Sequence, residues 1–401
     1  MKYVKTKVSQ LFIFLLLRML VFFLFTGSGL YAQIPIKKSS SGRFNKYIIN
    51  SRFVSEGVAV GDVNKDGKID ILAGNYWFEA PAWKEHLLHA DTLNPIPGYC
   101  TSFLNFSLDV NGDGWIDLIQ FDQPGGVCAW YENPKNSNKL WQAHMILGTA
   151  GIETPVLADV DKDGKMDIIC NDIVAKKVVW LKSPVVKGDT SWQRYIISND
   201  SVIATHRYTH GLGWGDINKD GRNDVIIKTG WWESPVNVKV PDWIFHPANF
   251  GKDCANMFAL DVDEDGDQDI ISSSAHGYGI WWHEQGKDEN GTVNWTTHLI
   301  SKLFSQSHAL VMKDINGDGR PDLISGKRYH AHLAGDPGTD EPSVLYWYEY
   351  IPGKNPQWIP HLVDDNSGIG NCLVVMDINK DRLPDIIVSN KKGVYFFEQL
   401  K

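Results

Sequence analysis

A nine-residue acidic pattern, Asp62-Val63-Asn64-Lys65-Asp66-Gly67-Lys68-Ile69-Asp70, recurs along this chain. It returns at Asp109–Asp117, Asp159–Asp167, Asp216–Asp224, Asp261–Asp269, Asp314–Asp322 and Asp377–Asp385, with 45 to 63 residues between successive first aspartates. Self-similarity at such a period marks one supersecondary unit copied many times, so the fold must be an array of those units.

The unit reads as strands. Short β-prone runs flank each copy, as 57–60 and 69–72 flank the first. An aromatic run follows, as in Tyr76-Trp77-Phe78-Glu79, Trp130-Tyr131-Glu132, Trp231-Trp232-Glu233, Trp281-Trp282 and Tyr346-Trp347-Tyr348-Glu349. A fourth run begins with Trp and carries His or Tyr three residues later, at 83–88, 141–146, 192–197, 295–300 and 358–363. Four strands per unit in seven copies predict an all-β fold, a seven-bladed β-propeller. A sandwich would not repeat its sequence so regularly, and a solenoid needs shorter or helical units. The chain stops after the aromatic run of its last copy, and an orphan run of the fourth kind, 44–49, stands near its start. That run is expected to complete the last blade and remove a free sheet edge.

Residues 1–32 stand apart from the repeats. Lys2, Lys5 and Lys7 precede an apolar run over 11–25, broken only by Arg18, and the segment ends Leu30-Tyr31-Ala32-Gln33. This is the layout of a secretory signal, and it predicts an exported protein (periplasmic, cell-surface or secreted) whose residues 33–401 form a single propeller. The run is too short for a comfortable transmembrane helix, and the rest of the chain has no apolar span of membrane length. Cys100, Cys128, Cys170, Cys254 and Cys372 are scattered singly, and their odd number gives no disulfide framework.

Each acidic loop offers side-chain oxygens at its first, third, fifth and ninth positions. These are Asp62, Asn64, Asp66 and Asp70; Asp109, Asn111, Asp113 and Asp117; Asp159, Asp161, Asp163 and Asp167; Asp216, Asn218, Asp220 and Asp224; Asp261, Asp263, Asp265 and Asp269; Asp314, Asn316, Asp318 and Asp322; Asp377, Asn379, Asp381 and Asp385. Hard oxygens on alternate residues of a tight turn suit Ca²⁺, and Gly at the sixth position permits a left-handed backbone. The seventh copy has Arg382 there instead. An EF-hand would need Glu at the twelfth position, where Ala73, Gln120, Cys170, Ile227, Ser272, Ser325 and Val388 stand. The loops therefore run from strand to strand. Their calcium is expected to be structural.

With these loops the chain resembles FG-GAP or VCBS-type repeat propellers, whose integrin-like blades carry Ca²⁺ loops between the first and second strands. The resemblance covers about residues 44–398. It implies the fold and the calcium sites, and it says little about activity.

The net charge of −9 becomes −13 without Lys2, Lys5, Lys7 and Arg18, and the loops hold 23 Asp at the positions named. Seven Ca²⁺ would bring the balance near neutrality, so the acidity calls for no basic partner. No basic stripe for nucleic acid appears.

Chemistry is expected where the blades converge. If each acidic loop joins the first and second strands, the start of the first strand and the end of the second lie at the opposite mouth of the channel. Six residues before the first Asp stand Glu56, Phe103, Glu153, His210, Ala255, His308 and Asn371; thirteen after it stand Asn75, Asp122, Asp172, Thr229, Ser274, Lys327 and Asn390. This is a polar pocket suited to a carbohydrate or small-molecule ligand. Glu56, Glu153, Asp122, Asp172 and Asn371 are candidate ligand contacts. Gly326-Lys327-Arg328-Tyr329-His330-Ala331-His332 adds cations and two alternating histidines that could face one side. A transition metal on His210, His308 and Glu153, or on His330 and His332, would be a second kind of ion. The histidines of the fourth runs recur at the blade periphery and read as structural.

The run from Ser307 to His332 also resembles propellers related to aldos-2-ulose dehydratase. That similarity implies a carbon–oxygen lyase acting on a keto-sugar or uronate. His308 or His210 would remove a proton, Lys327 and Arg328 would stabilise the enolate, and Tyr329 would protonate the leaving oxygen. The alternative is a non-catalytic adhesion or ligand-binding module, with a protein partner.

Overall fold

The computed structural model describes residues 38–40, 43–90, 94, 98–332 and 335–401. The leader read at 1–32 lies outside these residues. Every regular element among them is a β-strand, and none of their segments is a helix able to cross a membrane.

Within consecutive sets of four the strands pair antiparallel, and short contacts join neighbouring sets, Ala150 with Asp172 and, in parallel, Leu212 and Gly213 with Asn256 and Met257. The first set is Ala59–Gly61, Asp70–Ala73, Tyr76–Glu79 and Lys84–Leu87, and the second Leu104–Leu108, Asp117–Phe121, Gly126–Glu132 and Gln142–Ala150. The third is Val156–Ala158, Asp167–Asp172, Lys177–Lys182 and Gln193–Ser198, and the fourth Leu212–Gly215, Asp224–Ile227, Gly230–Glu233 and Ile244–Pro247. Asn256–Leu260, Asp269–Ser273, Tyr278–Lys287 and Val293–Ser305 follow, then Leu310–Lys313, Asp322–Gly326, Leu345–Ile351 and Gln357–Asp364. The last set is Leu373–Met376, Asp385–Asn390 and Gly393–Gln399, and its outer place is taken by Phe44–Asn50 from the other end of the chain, with Lys38–Ser40 paired outside it.

Burial follows strand order. The second strands, such as Asp117-Leu118-Ile119-Gln120-Phe121, are buried throughout, whereas the fourth are largely exposed. A strand covered on both faces reads as a continuous β-branched run, which is why the second strands lack polar alternation. The core is the series of joints between sheets. Ile71 and Phe78 of the first set cluster with Ile387 and Phe396 of the last, and Ile324 and Leu345 of the sixth with Ile386 and Phe397. Leu72 packs with Leu118 of the second set, Ile226 of the fourth with Ile270 of the fifth, and Ile271 of the fifth with Leu323 of the sixth. The second, third and fourth sets share one cluster. Each sheet thus covers its neighbours, and the last covers the first, an arrangement that fits a β-propeller. All five cysteines are free thiols.

Candidate functional site

In every acidic loop the ninth-position carboxylate is fully buried and accepts two backbone N–H bonds. Asp70 takes them from Val63 at 3.0 Å and Ala80 at 2.9 Å, and Asp117 from Val110 and Asn133. Asp167, Asp224, Asp269, Asp322 and Asp385 repeat the pattern. This residue ties the loop to the end of the third strand, so it locks the turn whether or not an ion is bound. Burial pushes its carboxyl up, to about 6 for Asp70 and about 7 for Asp117. The sixth-position glycines have φ between 84° and 98°, and Arg382 adopts the same left-handed region at 74°. The fourth position is left-handed too, with Lys65 at 60° and Gly112 at 70°, a requirement absent from the sequence reading.

Two loops bring three carboxylates together: Asp159, Asp161 and Asp167, and Asp261, Asp263 and Asp265, each with ligand atoms within 4.8 Å of one another. Asp62 Oδ1, Asp161 Oδ1 and Asp261 Oδ1 are buried without a hydrogen-bond partner. Hard, orphaned oxygens at first and third positions fit a bound cation. The third loop differs in one respect: Lys182 places its ammonium on Asp161 at 2.6 Å and also on Asp163.

That lysine interrupts a recurring arrangement on the outer strands. His86, His144, His246, His298 and His361 each stack on a tryptophan, at 4.1 to 4.3 Å between centroids, and pair with Glu79, Glu132, Glu233, Glu284 and Glu349. Glu79 and Glu132 also accept from Asn64 and Asn111, which links the outer strand to the acidic loop. In the third set Tyr195 stacks on Trp180, and Lys182 occupies the glutamate's place.

At the other end of the inner strands lies a buried charged cluster. Arg328 is fully buried; its Nη2 and Nε donate to Glu56 Oε1 at 2.6 and 3.1 Å, and its Nη1 lies 3.9 Å from Glu153 Oε2. Lys391, also buried, donates to the His330 carbonyl at 2.6 Å and lies 3.5 Å from Glu56. Two carboxylates and two cations balance here, and the guanidinium packs 5.0 Å from the Phe103 ring centroid. Burial pushes the Glu153 carboxyl up to about 7 despite Arg328. His210 Nε2 stands 3.5 Å from Glu153 Oε2, yet burial holds His210 down at about 3, so the two do not form an ion pair.

His308 lies beside them, equally buried and held well below the ordinary imidazole range. His332 and His276 stack at 3.8 Å, and His332 is 4.9 Å from His308 between centroids. Asp336 accepts from both His332 and His276. Asn371 places its backbone N–H on the Glu56 carbonyl. Tyr99 and Tyr208 stand over the cluster, 6.4 Å apart.

The structure therefore brings Glu56, Glu153, His210, His308, Arg328, His332 and Asn371 together. Lys327 goes elsewhere: it donates to the Thr339 carbonyl at 2.9 Å. Tyr329 packs on His330 and under Lys392. The two alternating histidines separate because His330 has φ 46°, which turns the backbone and sends only His332 to the cluster. An enolate-stabilising pair of Lys327 and Arg328 is thus not assembled, and Arg328 is already engaged by Glu56. Asp172 is held by Thr149, Ala175 and Arg194, and Asp122 caps the Gln123 N–H, so both stand apart from the histidines. His276, Asp336 and Lys391 were missed. His276 and Lys391 lie just beyond the register positions used, on the loops that leave the second strands. Two described concavities, of about 570 and 350 Å³, open at sheet edges around Trp77 and Trp281 and do not include this cluster.

The fold and its loops define an all-β protein of repeated, propeller-like sheets. The chain carries FG-GAP-like repeats, with the model of that repeat matching residues 109–170 and 261–325. No curated protein matches it. Among solved structures it is similar to BBS1N, crystallised in complex with ARL6DN, at 9% identity and a TM-score of 0.48 over 88% of this chain and 94% of that one. It is also similar to the V. cholerae biofilm matrix protein Bap1, at 11% identity and a TM-score of 0.39 over 88% of this chain and 80% of that one.

Proposed function

We propose that this chain is an exported, calcium-stabilised, seven-bladed β-propeller that binds a carbohydrate at one mouth of its channel. Residues 1–32 are its signal peptide, and 33–401 its propeller. The observation that carries this reading is the set of buried polar atoms left unpartnered at that mouth: Glu56 Oε2, Glu153 Oε2, His210 Nε2, His308 Nε2, Arg328 Nη1 and both amide atoms of Asn371. Each such atom destabilises a fold by about 1–3 kcal/mol. Native proteins rarely gather them in one place unless a ligand or ordered water supplies the bonds. Hydroxyl groups suit the set, since they donate to carboxylates and imidazoles and accept from a guanidinium. Tyr99 and Tyr208 offer apolar faces beside it.

Calcium at the first, third, fifth and ninth loop positions, the ninth also locking the turn through its backbone bonds, would hold the inner strands in register and so position the pocket.

Calorimetric titration with neutral and uronate oligosaccharides tests the pocket. Binding that weakens at least tenfold in Glu153→Gln and Asn371→Ala is expected; no binding by any sugar would sink the reading.

A carbon–oxygen lyase acting on a keto-sugar or uronate is a second reading, favoured by one observation. His210 and His308 are neutral imidazoles whose Nε2 lone pairs have no partner, the form a general base requires. New ultraviolet absorbance from an unsaturated product, lost in His308→Ala, would support it. Binding without such a signal leaves a ligand-binding or adhesion module.

A further inference from the structure

The imidazole of His210 comes from the entry to the fourth set of strands, and those of His308 and His332 from the entry and exit of the sixth, yet their ligand atoms lie within 4.8 Å of one another. Their outward nitrogens are already assigned. His210 Nδ1 bonds the Tyr208 carbonyl at 2.8 Å, His308 Nδ1 the Gln306 carbonyl at 3.2 Å, and His332 Nδ1 the Asp336 carboxylate. An acceptor on Nδ1 requires the proton there, and this leaves the lone pair on Nε2. His210 and His308 are 4% and 3% exposed, and neither Nε2 has a partner.

We propose that His210, His308 and His332 bind a divalent transition ion of the zinc class through their Nε2 atoms. Three neutral imidazoles, each fixed by an oxygen acceptor on the far nitrogen, are the donor set and the outer shell that such ions take. Nitrogens in a tetrahedral zinc set lie about 3.4 Å apart for bonds of about 2.1 Å, so binding would draw the three rings together from a spacing of up to 4.8 Å. Calcium prefers oxygen and is not the ion for this site. Asp336 acts as a positioning residue, because it holds His332 and, through the same carboxylate, His276. Glu153 Oε2, 3.5 Å from His210 Nε2, stands at the edge of the set. The sequence suggested a metal on His210, His308 and Glu153; the geometry replaces Glu153 with His332.

The inference rests on the pocket reading only for what the ion does. Such an ion would satisfy two of the unpartnered atoms and leave the carboxylates, Arg328 and Asn371 to the ligand. It would also occupy the lone pairs that the lyase reading uses, so the ion and a general-base role exclude each other at these nitrogens.

The test is equilibrium dialysis of the purified chain against zinc in calcium-saturated buffer, with bound metals counted by mass spectrometry. One zinc per chain is expected. His308→Gln and His332→Ala should lose it, and Asp336→Asn should weaken it about 10–100-fold. His332 is on a partly exposed loop, so its variant decides the matter if the His308 variant does not fold. No zinc uptake, or uptake unchanged in folded His332→Ala, overturns the proposal. Zinc uptake without sugar binding supports this site and sinks the pocket reading instead.

Discussion

The backbone N–H of Asn371 donates to the carbonyl oxygen of Glu56 at 2.7 Å, which joins the first sheet to the last at the level of the polar cluster. The seam leaves no room at the preceding residue. A Cβ on Gly370 would lie 2.0 Å from the Glu56 oxygen and 2.1 Å from that of Ser389. Both contacts are backbone and cannot swing aside.

Gly370→Ala is therefore expected to destabilise the fold by about 3 kcal/mol or more and to lower the thermal midpoint. A melt within a degree or two of the parent would show that the seam is not closed as described.

Chelation should lower the melting temperature, and added calcium should restore it. A ligand at 100 times its Kd contributes about 2.7 kcal/mol. An unchanged melt in chelator would remove the calcium assignment. The third loop is expected to respond least, since the Lys182 ammonium already bridges Asp161 and Asp163. Lys182→Glu restores the glutamate found in the other sets and should raise calcium stoichiometry by one. Equal stoichiometry in parent and variant would mean that the ammonium does not stand in for an ion.

Arg382 holds a left-handed backbone at φ 74°, where the other loops have glycine. An L-residue in that region is disfavoured by about 1–2 kcal/mol. Arg382→Gly keeps the N–H bond to Asp377 and should stabilise the protein by about 1 kcal/mol in denaturant titration. Destabilisation would show that the Arg382 side chain contributes more than its backbone disfavours.

His283 supplies a pH dependence outside the histidine cluster. It is buried, with Ser272 and Thr297 hydroxyls on its two nitrogens, and burial pushes it down to about 4 from an ordinary 6.5. Above pH 6.5 it is neutral both folded and unfolded. As pH falls from 6.5 towards 4 only the unfolded chain takes up the proton, so stability is lost across that window, by on the order of 3 kcal/mol. Melts of the parent and His283→Gln should converge as the pH is lowered; a constant gap between them would contradict this.

Much of the fold is legible in local patterns. The acidic turns and the Trp-to-His spacing repeat because each sheet meets the same packing problem, and counting six residues back from each first Asp was enough to locate Glu56, Glu153, His210 and His308. The register failed where loops take over. Nothing in Gly326-Lys327-Arg328-Tyr329-His330 announces that His330 will turn left-handed, or that Lys327 will find the Thr339 carbonyl. Asp336 stands later in the same loop and His276 in another, and only the folded chain shows that they share a hydrogen-bonded group.

The strand Phe44–Asn50 pairs with Gly393–Gln399, so the clasp of the structure is made from segments far apart in the sequence. A nascent chain leaving the ribosome holds the Phe44–Asn50 half of that clasp early and waits for the other until Gly393–Gln399 has been made. Earlier sheets can form meanwhile, but the assembly stays unlatched and threadable until its final strand emerges. Loss of either strand would then undo a joint that the other cannot mend alone.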